Sequence, residues 1–521
     1  ADEVIGTGIN YMLRSLDPYT IYYPEEKVKD LDLMISGKYA GVGALIRYNF
    51  LLKNTVIDEP YENMPAAEVG LKKGDVILAI GDSSMVGKDV AYVSNHLRGD
   101  AGTTFILTIQ RPSVNKKMKF KITRRAIQLP AVPYYGVQDG GVGYLNLNSF
   151  TTGCAKDVRR AFLDMKKQGM TSLVFDLRNN GGGSLQEAVN IVNMFVPKGI
   201  TLVKTVGKME RANKEYKTTV EPIDTVMPIV VLVNDETASA SEITSGSLQD
   251  LDRAVVLGTR TYGKGLVQVS MDLPYNGNLK LTSSKYYIPS GRCIQAINYK
   301  HANGGYTEHV PDSLTHVFHT ANGREVRDGG GIKPDVEVRP DSLPNIAFYL
   351  ASSGRDSTEV MWNWELQYLK KHPTIGPAKT FVISDADFED FKQAVLKSGF
   401  KYDRESKKYL ENLVKLAKFE GYYDDAKGEF DALEKKLNHN LAKDLDYNKQ
   451  TLKKVLTSDL VSAYYYQKGS LENSLQFDKQ WKKAVEILKN PAEYKKLLQP
   501  VVGQSLVKLE PASNVDRKSV V

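Results

Sequence analysis

The chain has 521 residues, enough for about three or four domains of ordinary size. Apolar residues make up 42% and charged residues 25%, which is typical of a globular protein and argues against collagen, coiled-coil rods and wholesale disorder. Its 69 Lys and Arg residues exceed its 62 Asp and Glu residues by seven, an excess too mild to predict nucleic acid as a partner.

The N-terminal 35 residues are predicted to form a short helix that ends in a turn at Leu16-Asp17-Pro18-Tyr19. Dense strand and turn signals follow, and the strongest of them predict four strands and one helix. The strands are Gly41–Ile46, Asn54–Ile57, Asp75–Ile80 and Thr104–Ile109, and the helix is Ala91–Leu97.

From about residue 125, predicted strands alternate with predicted helices. The strands are Gly141–Leu147, Ser172–Leu177 and Ile229–Val233, and the helices are Lys156–Gln168, Ser184–Phe195 and Ala240–Leu251. Such alternation implies a sheet that is covered by helices.

Residues 341–521 are predicted to be mostly helical. They carry seven of the 41 glycines, and Leu410, Val414 and Ala417 recur at the spacing of one helix face. Their many Lys, Glu and Asp residues are most simply the solvated face of a helical bundle, and a basic binding surface is the alternative. These helices are also a candidate contact for a homodimer.

Neither a disulfide framework nor a membrane span is expected. Two cysteines, Cys154 and Cys293, cannot make a disulfide scaffold or a four-thiolate metal site. The longest apolar run of note, Met227–Val233, is strand-sized and far short of the roughly 20 residues of a membrane-spanning helix. No signal peptide is expected in this chain, because helix-like sequence begins directly after Ala1, but such a segment could have been removed.

The first motif with chemical content is Asp176-Leu177-Arg178-Asn179-Asn180-Gly181-Gly182-Gly183, between a predicted buried strand and a helix. A glycine-rich turn of this kind offers backbone N–H groups to an anion or a developing oxyanion. No Gly-Lys-Ser/Thr follows, so it is not a phosphate loop of that type. A simple tight turn is the alternative interpretation.

The second motif runs from Asn234 to Ile243 and also joins an apolar strand to a helix. Its Ser239 and Glu242 have the spacing of a capping box, which is the structural interpretation. The functional interpretation makes Ser239 a nucleophile at the helix N-terminus, where the helix dipole favours a neighbouring oxyanion.

The third motif is Thr261-Tyr262-Gly263-Lys264-Gly265-Leu266-Val267-Gln268. A lysine between two glycines, just before an apolar strand, is unusual for a surface lysine, although a surface position is the alternative. A buried lysine can lose its proton near neutral pH and act as a general base for a serine hydroxyl.

Together and in this order, the three motifs resemble those of the C-terminal processing peptidases, the S41 family of serine proteases. The resemblance covers roughly residues 10–340 and includes the Leu16–Tyr19 turn, Pro289-Ser290-Gly291-Arg292 and Gly330-Gly331-Ile332-Lys333-Pro334-Asp335. It implies a Ser–Lys dyad in which Ser239 is the nucleophile, Lys264 the general base and Gln268 the residue that orients the lysine.

The resemblance also implies an oxyanion hole made by the backbone N–H groups of Ala240 and of Gly182 or Gly183. Gly181 stands where the family usually has proline, which leaves the choice between the two glycines open. Thr237 replaces the first serine of the family's motif, a change that leaves Ser239 and Ser241 in place.

The segment from Gly37 to about Arg124 resembles a PDZ domain. The match lies in Tyr39-Ala40-Gly41-Val42-Gly43, in Pro65-Ala66-Ala67, and in the run from Gly70 to Asp82. PDZ domains bind a peptide C-terminus as an added strand and hold its carboxylate with backbone N–H groups. The resemblance therefore implies that residues 39–43 bind protein or peptide tails.

We therefore expect a multidomain α/β and β protein. It has an N-terminal helical segment (1–35), a PDZ domain (36–124), a crotonase/ClpP-like S41 peptidase core (125–340) and an all-α C-terminal domain (341–521). The family resemblance implies an endopeptidase of the bacterial periplasm or cell envelope, which needs no cofactor or metal.

Two alternatives stay open at this stage. A zinc site is conceivable because His301, His309, His316 and His319 lie close together in the sequence, but their spacing is weak for metal binding. A peptide-binding scaffold that has a protease-like fold and no catalysis is the second alternative. The joint presence of Ser239, Lys264 and Gln268 argues against it.

Overall fold

The computed structural model describes residues 2–296, 310–352, 354–437 and 440–500. The helices in this part of the chain are α1 (Asp2–Leu13), α2 (Glu25–Ser36), α3 (Pro65–Glu68), α4 (Val90–Leu97), α5 (Cys154–Lys167), α6 (Leu185–Val192), α7 (Ala240–Asp250), α8 (Asn345–Ala351), α9 (Val360–Lys371), α10 (Asp385–Ser398), α11 (Glu405–Glu420), α12 (Lys427–Leu437), α13 (Leu441–Tyr447), α14 (Lys449–Ser474), α15 (Lys479–Leu488) and α16 (Pro491–Leu497).

The strands in the same residues are β1 (Ile21–Tyr23), β2 (Lys38–Gly41), β3 (Ala44–Asn49), β4 (Asn54–Pro60), β5 (Val76–Ile80), β6 (Ser83–Ser84), β7 (Thr104–Arg111), β8 (Lys116–Thr123), β9 (Arg125–Gln128), β10 (Tyr134–Gln138), β11 (Val142–Asn146), β12 (Ser172–Asp176), β13 (Thr201–Val206), β14 (Lys214–Lys217), β15 (Ile229–Val233), β16 (Val255–Gly258), β17 (Leu266–Asp272), β18 (Asn278–Tyr287), β19 (Val317–His319), β20 (Glu325–Arg327) and β21 (Val336–Glu337).

The chain divides into two compact units, and each is made of separate stretches of sequence. The first contains the described part of Ala1–Tyr39, Gln128–Pro340 and Asp478–Val521, and the second contains the described part of Ala40–Ile127 and Asp341–Phe477. We call them the peptidase unit and the PDZ unit.

The peptidase unit is built on a six-stranded sheet in the order β10-β11-β12-β15-β16-β21. All pairs from β11 to β21 are parallel, and β10 is antiparallel to β11. Every residue of β11, β12, β15 and β16 is buried, which explains the continuous apolar run of β15.

Alternate residues of these strands serve the two faces of the sheet. Leu145 of β11 joins the main hydrophobic core with residues of α5 and α6. The preceding residue of the strand, Tyr144, makes an edge-to-face contact with Trp481 of α15 at a centroid distance of 5.5 Å. Helix α15 also packs against β12, β15 and β16, so the end of the chain covers part of this sheet.

A second sheet in the peptidase unit has the order β1-β18-β13-β14, and β17 pairs with β18. Strands β17 and β18 form an antiparallel pair with one register shift, between Val267 and Gln268. This sheet ties the N-terminal strand β1 to the strand that follows Lys264.

The PDZ unit contains an antiparallel sheet in the order β3-β4-β5-β7-β8, with β6 on β5, and α4 packs against β3. Its apolar core includes Ile57, Ile77, Val93 and Leu107. Helices α8, α9, α10, α13 and α14 form a second core in the same unit, around residues such as Phe391, Leu445 and Leu456.

The PDZ-like strands and the helices of the PDZ unit meet at a group of buried charged side chains. The ammonium group of Lys73 lies 3.2 Å from the carboxylate of Glu365 and 3.6 Å from that of Asp58. The ring of Trp362 lies within 4.4 Å of the Arg47 guanidinium and 4.6 Å of the Lys73 ammonium. Burial raises the pKa of both Glu365 and Asp459, which interact at this place.

The order of the elements agrees with the expected fold class: a β-rich segment precedes an α/β core on a mostly parallel sheet, and helices follow. The predicted domain boundaries stay predictions. On α11 the predicted face is buried at Leu410 and Ala417, whereas Tyr409, Leu413 and Leu416 on the adjoining strip are exposed.

Candidate active site

The three motifs meet at one edge of the peptidase sheet. The glycine motif follows β12, the serine motif follows β15, and the lysine motif follows β16, and these three parallel strands are neighbours. Because parallel strands end at the same edge, the fold collects three distant stretches of sequence there. The carboxyl edge of such a sheet is the usual place for a ligand site.

Ser239 lies at the start of α7 in a strained conformation. It is the N-cap residue of the helix, its φ is 57° and its ψ is −116°, and it is half-buried. Positive φ values are uncommon for residues with a side chain, and such strain is concentrated at functional sites. The turn is held in place because the N–H of Ala238 donates to the carbonyl of Asn180 at 3.0 Å.

The buried carboxylate of Glu242 holds the serine and lysine motifs together. Its Oε2 atom accepts from the backbone N–H of Ser239 at 2.8 Å and from that of Lys264 at 2.9 Å. Its Oε1 atom accepts from the hydroxyl of Thr261 at 2.5 Å and from the N–H of Gly263 at 2.7 Å. One oxygen atom therefore bridges the backbones of the two residues predicted to form the dyad.

Sequence reasoning assigned Glu242 only a capping role. The half of the capping box in which Glu242 accepts from the Ser239 N–H is formed. The further bonds to residues 261–264 were not predicted, since nothing in the local pattern pairs Glu242 with a loop about 20 positions away.

Lys264 is half-buried, and burial lowers the pKa of its amine to about 8. Lys280 lowers this pKa further, whereas Glu242 and Asp17 raise it. The ammonium group lies 4.6 Å from the ring centre of Tyr19, and the hydroxyl of Tyr286 donates to the carbonyl of Lys264 at 2.7 Å. Among the residues that the structure describes, none accepts a hydrogen bond from the Lys264 side chain.

Gln268 lies on β17, four residues beyond Lys264. Its amide nitrogen donates to the hydroxyl of Thr282 at 3.2 Å. Within the described ranges, no hydrogen bond joins Gln268 to Lys264. The role of Gln268 in orienting the lysine stays a prediction.

The glycine turn packs directly against Ser239. A Cβ atom added to Gly182 would lie 2.6 Å from the carbonyl oxygen of Ala238 and 2.8 Å from Cβ of Ser239. The N–H of Gly182 donates to the side-chain oxygen of Asn180 at 2.9 Å. In the described part of the chain, the N–H groups of Gly183 and Ala240 have no hydrogen-bond acceptor.

Arg178 connects the glycine motif to the end of the chain. Its guanidinium bonds the carboxylate of Asp176, lies 2.7 Å from that of Asp478, and donates to the side chain of Gln480 at 2.8 Å. Tyr144 donates to Asp176 at 2.6 Å. The sequence places Asp176 and Arg178 in the glycine motif but gives them no role, and it carries no local signal that points to residues 478–480.

The predicted tail-binding segment directly precedes β3 of the PDZ sheet, and its strand β2 pairs with β9 in a separate two-stranded sheet. Tyr39 and Ala40 lie in β2, which ends at Gly41, and Gly43 follows with a φ of 73°. The carbonyls of Val42 and Gly43 accept hydrogen bonds at 2.8 and 2.9 Å, whereas their N–H groups donate to no residue that the structure describes. Strand β3 follows directly at the edge of its sheet, paired with β4 alone in the described chain.

The histidines do not assemble into a site in the described residues. His316 lies 3.1 Å from the carboxylate of Asp328, and His319 lies in β19. His301 and His309 lie outside the described residues. Among those described, no group of three or more His, Cys, Asp or Glu side chains is placed to hold a metal ion. Nor does any helix in the described ranges have the length and hydropathy needed to cross a membrane.

Curated relatives decide the family. A "Carboxy-terminal-processing protease" of Bartonella bacilliformis is 37% identical over 300 residues, which are 57% of this chain and 68% of the relative. A "Probable CtpA-like serine protease" of Staphylococcus aureus is 30% identical over 424 residues, 80% of this chain and 72% of the relative. The chain belongs to the carboxy-terminal-processing protease family.

Family models agree with this assignment. The model "Peptidase family S41" matches residues 141–301, and "PDZ domain" matches residues 56–111. A third, "Probable PDZ-protease, C-terminal helical domain", matches residues 349–488. The predictions of an S41 serine protease with a PDZ domain and a helical C-terminal part are thus confirmed for this carboxy-terminal-processing protease.

Solved structures also resemble the chain. A photosystem II D1 C-terminal processing protease is 28% identical, covers 64% of this chain and 82% of its own length, and has a TM-score of 0.36. A "Putative S41 protease" from Bacteroides fragilis is 19% identical, covers 68% of this chain and 87% of its own, and has a TM-score of 0.38.

Proposed function

We propose that this carboxy-terminal-processing protease is an endopeptidase that uses a Ser239–Lys264 dyad on proteins recognised through their C-terminal tails. One observation carries the proposal. The backbone N–H groups of Ser239 and Lys264 donate to the same Glu242 oxygen, which ties the two residues together. Ser239 is strained at a helix N-terminus, and the half-buried Lys264 amine has a lowered pKa and no acceptor in the described residues. A serine hydroxyl needs such a base before it can attack a carbonyl.

The proposed reaction has two halves. The Ser239 hydroxyl attacks the scissile carbonyl while the neutral Lys264 amine takes its proton, and the lysine then gives that proton to the leaving amine. This forms an acyl-enzyme on Ser239 and releases the C-terminal fragment. Water then attacks the ester carbonyl while Lys264 takes its proton. The bond to Ser239 Oγ breaks, Lys264 returns the proton to that oxygen, and the acyl fragment leaves as a carboxylic acid.

The oxyanion is proposed to lie between the N–H groups of Ala240 and Gly183. Both are without acceptors in the described chain, and Ala240 is the first residue of α7, where the helix dipole favours negative charge. Gly182 is the weaker candidate of the two glycines, because its N–H already donates to Asn180. Gln268 is proposed to orient Lys264 from its position beside Thr282.

The dyad is tested by Ser239→Ala and Lys264→Ala. Both should lose proteolysis by several orders of magnitude while their thermal unfolding stays close to that of the wild type. Mass spectrometry of an acid-quenched reaction should find the acyl group on the peptide that contains Ser239. Ser241→Ala is the matched control, because the buried Ser241 hydroxyl already donates to the carbonyl of Asn180 and its loss should leave the nucleophile in place.

Activity in Ser239→Ala together with loss of activity in Ser241→Ala would show that the nucleophile is assigned wrongly. If the wild type binds tails but cleaves none, the alternative of a peptide-binding scaffold is correct. For the wild type, kcat/KM should rise with pH through about 8, because the base acts in its neutral form.

Substrate selection is proposed to lie in residues 39–43 and in strand β3. The inward bonds of the Val42 and Gly43 carbonyls leave their N–H groups available for a terminal carboxylate. The edge strand β3 offers its free side for pairing with an extended peptide. Residues 39–43 would thus bind the charged carboxylate of the tail, and β3 would pair with its backbone.

Amidation of the substrate's C-terminus tests this selection, because it removes the charge that the loop is proposed to bind. A tail-bearing protein should be cut more slowly once amidated, while the rate of Ser239 acylation by a short tail-free ester stays the same. Equal cleavage of the amidated and free-acid proteins would contradict the proposed selection.

Two further parts of the proposal concern the cell and the assembly. We place the enzyme in the bacterial periplasm or cell envelope, as the family resemblance implies, and cell fractionation tests this. The exposed side chains of Tyr409, Leu413 and Phe419 on α11 support a homodimer through the C-terminal helices. Sedimentation of the wild type and of a Leu413→Lys variant should then give a dimer and a monomer.

A further inference from the structure

The turn at Leu16–Tyr19 has no role in the mechanism given above, yet it lies beside Lys264. The chain leaves α1 at Leu13, makes this turn and enters β1. Strand β1 pairs with β18, with Ile21 opposite Lys280. Because β18 also pairs with β17, which begins two residues after Lys264, the N-terminal turn is attached to the sheet that carries the lysine loop.

The carboxylate of Asp17 organises this turn. Its Oδ1 atom accepts from the N–H of Tyr19 at 2.7 Å and from that of Thr20 at 2.8 Å, and its Oδ2 atom accepts from the Thr20 hydroxyl at 2.6 Å. The hydroxyl of Thr282 donates to Asp17 at 3.0 Å and accepts from the amide of Gln268 at 3.2 Å. Asp17 is therefore linked through one threonine to the residue proposed to orient the lysine.

Tyr19 presents its ring to the Lys264 side chain, with 4.6 Å between the ammonium nitrogen and the ring centre. A cation at this distance from an aromatic face is attracted by the ring quadrupole. The other charged groups that act on the lysine amine are Lys280 from β18, Glu242 from α7 and Asp17 from the turn. The described chain offers the amine no hydrogen-bond acceptor, and the Tyr19 ring is a defined contact of its ammonium group.

We propose that Asp17 and Tyr19 are positioning residues of the catalytic site, so that the N-terminal turn belongs to the machinery of the reaction. Tyr19 holds the end of the Lys264 side chain against its ring, and Asp17 fixes both the ring and the amide of Gln268. The proposal rests on the proposed role of Lys264 as the base.

Two substitutions separate these contributions. Tyr19→Leu keeps an apolar wall but removes the ring, and Asp17→Asn keeps the shape but removes the charge. Both changes favour the neutral amine, because each removes a group that stabilises the ammonium form. The acid limb of the kcat/KM profile should therefore move from about pH 8 to between about pH 7 and 7.5.

Above this limb, kcat should fall by about tenfold to 100-fold, because a misplaced base loses its alignment with the serine. Tyr19→Phe retains the ring and should restore both the midpoint and kcat. Tyr22→Leu is the matched control, because Tyr22 lies on β1 three residues further along and makes no described contact with Lys264.

The protonation of Lys264 can be measured independently of activity. The rate at which an amine-reactive reagent modifies Lys264 is measured against pH by peptide mass spectrometry on the intact protein. The midpoint should move to lower pH in Tyr19→Leu and Asp17→Asn. An unchanged or higher midpoint in both variants overturns the proposal, even if either variant is less stable. Full activity of Lys264→Ala would instead overturn the dyad itself, so the two failures are distinguishable.

Discussion

Replacing Glu242 by glutamine tests whether the bridge between the serine and lysine motifs matters for the reaction. The change keeps the size of the side chain and its burial, and it exchanges one acceptor oxygen for an amide group that can only donate. In the wild type, the two carboxylate oxygens accept four hydrogen bonds, two at each oxygen. A glutamine can satisfy at most one of these pairs with its single oxygen.

The loss of folding free energy depends on which hydrogen-bond donors lose their partner. If the glutamine oxygen keeps the N–H groups of Ser239 and Lys264, its amide faces Thr261 and Gly263. The Thr261 oxygen can accept from that amide, whereas the Gly263 N–H is left buried and unpaired. One such orphaned group costs about 1–3 kcal/mol. For a unit of this size, that corresponds to a fall in melting temperature of about 2–12 °C.

Calorimetry and acylation kinetics on the same preparations test this estimate. Glu242→Gln should melt earlier and, at a temperature where it is fully folded, should form the acyl-enzyme about 10- to 100-fold more slowly, because the two loops shift relative to each other. Asp224→Asn is the control, since Asp224 also accepts two backbone N–H groups, at 2.8 and 2.9 Å, but lies away from the motifs. An unchanged acylation rate in folded Glu242→Gln would refute a positioning role for the bridge.

Three other outcomes are expected. Gly182→Ala should abolish acylation because its Cβ would lie 2.8 Å from that of Ser239, whereas Gly169→Ala, with a similar φ of 89° and open space around it, should keep activity. Lys73→Met should destabilise the PDZ unit by about 3–5 kcal/mol in calorimetry, because it leaves buried carboxylates without their cation. The loss should be smaller at pH 5 than at pH 8, since the raised pKa of Glu365 lets that carboxyl become neutral as the pH falls. Proteolysis should survive metal chelators, and loss of activity that zinc restores would contradict the dyad.

The parts of the fold that were predictable from sequence are those with a local signal. Strands such as Ile229–Val233 are continuous apolar runs because the sheet is covered on both faces. The motifs that follow β12, β15 and β16 are the glycine, serine and lysine motifs. Their turn residues can be recognised from the sequence alone. Once a parallel sheet is expected, these three turns must meet at its carboxyl edge.

The long-range contacts had no local signal. Asp17 is linked to Gln268 across about 250 positions, and Lys73 meets Glu365 across almost 300. Each of these residues reads locally as an ordinary polar turn or helix position. A polar side chain becomes part of a buried network only because the fold brings a partner to it. The periodicity of apolar residues in the sequence carries no information about that partner.

The same reasoning explains why the sequence pattern predicts residues 479–488 as part of one helical segment. Lys479–Leu488 has the amphipathic pattern of any bundle helix, and that pattern shows which face is apolar but not what covers it. In the peptidase unit, its Trp481 packs on Tyr144, and Gln480 and Asp478 hold Arg178. Arg178 in turn pairs with Asp176 at the end of β12, directly before the glycine turn that packs on Ser239. The strand end that carries the proposed oxyanion site is thus held by residues 478–481, about 300 positions further along the chain.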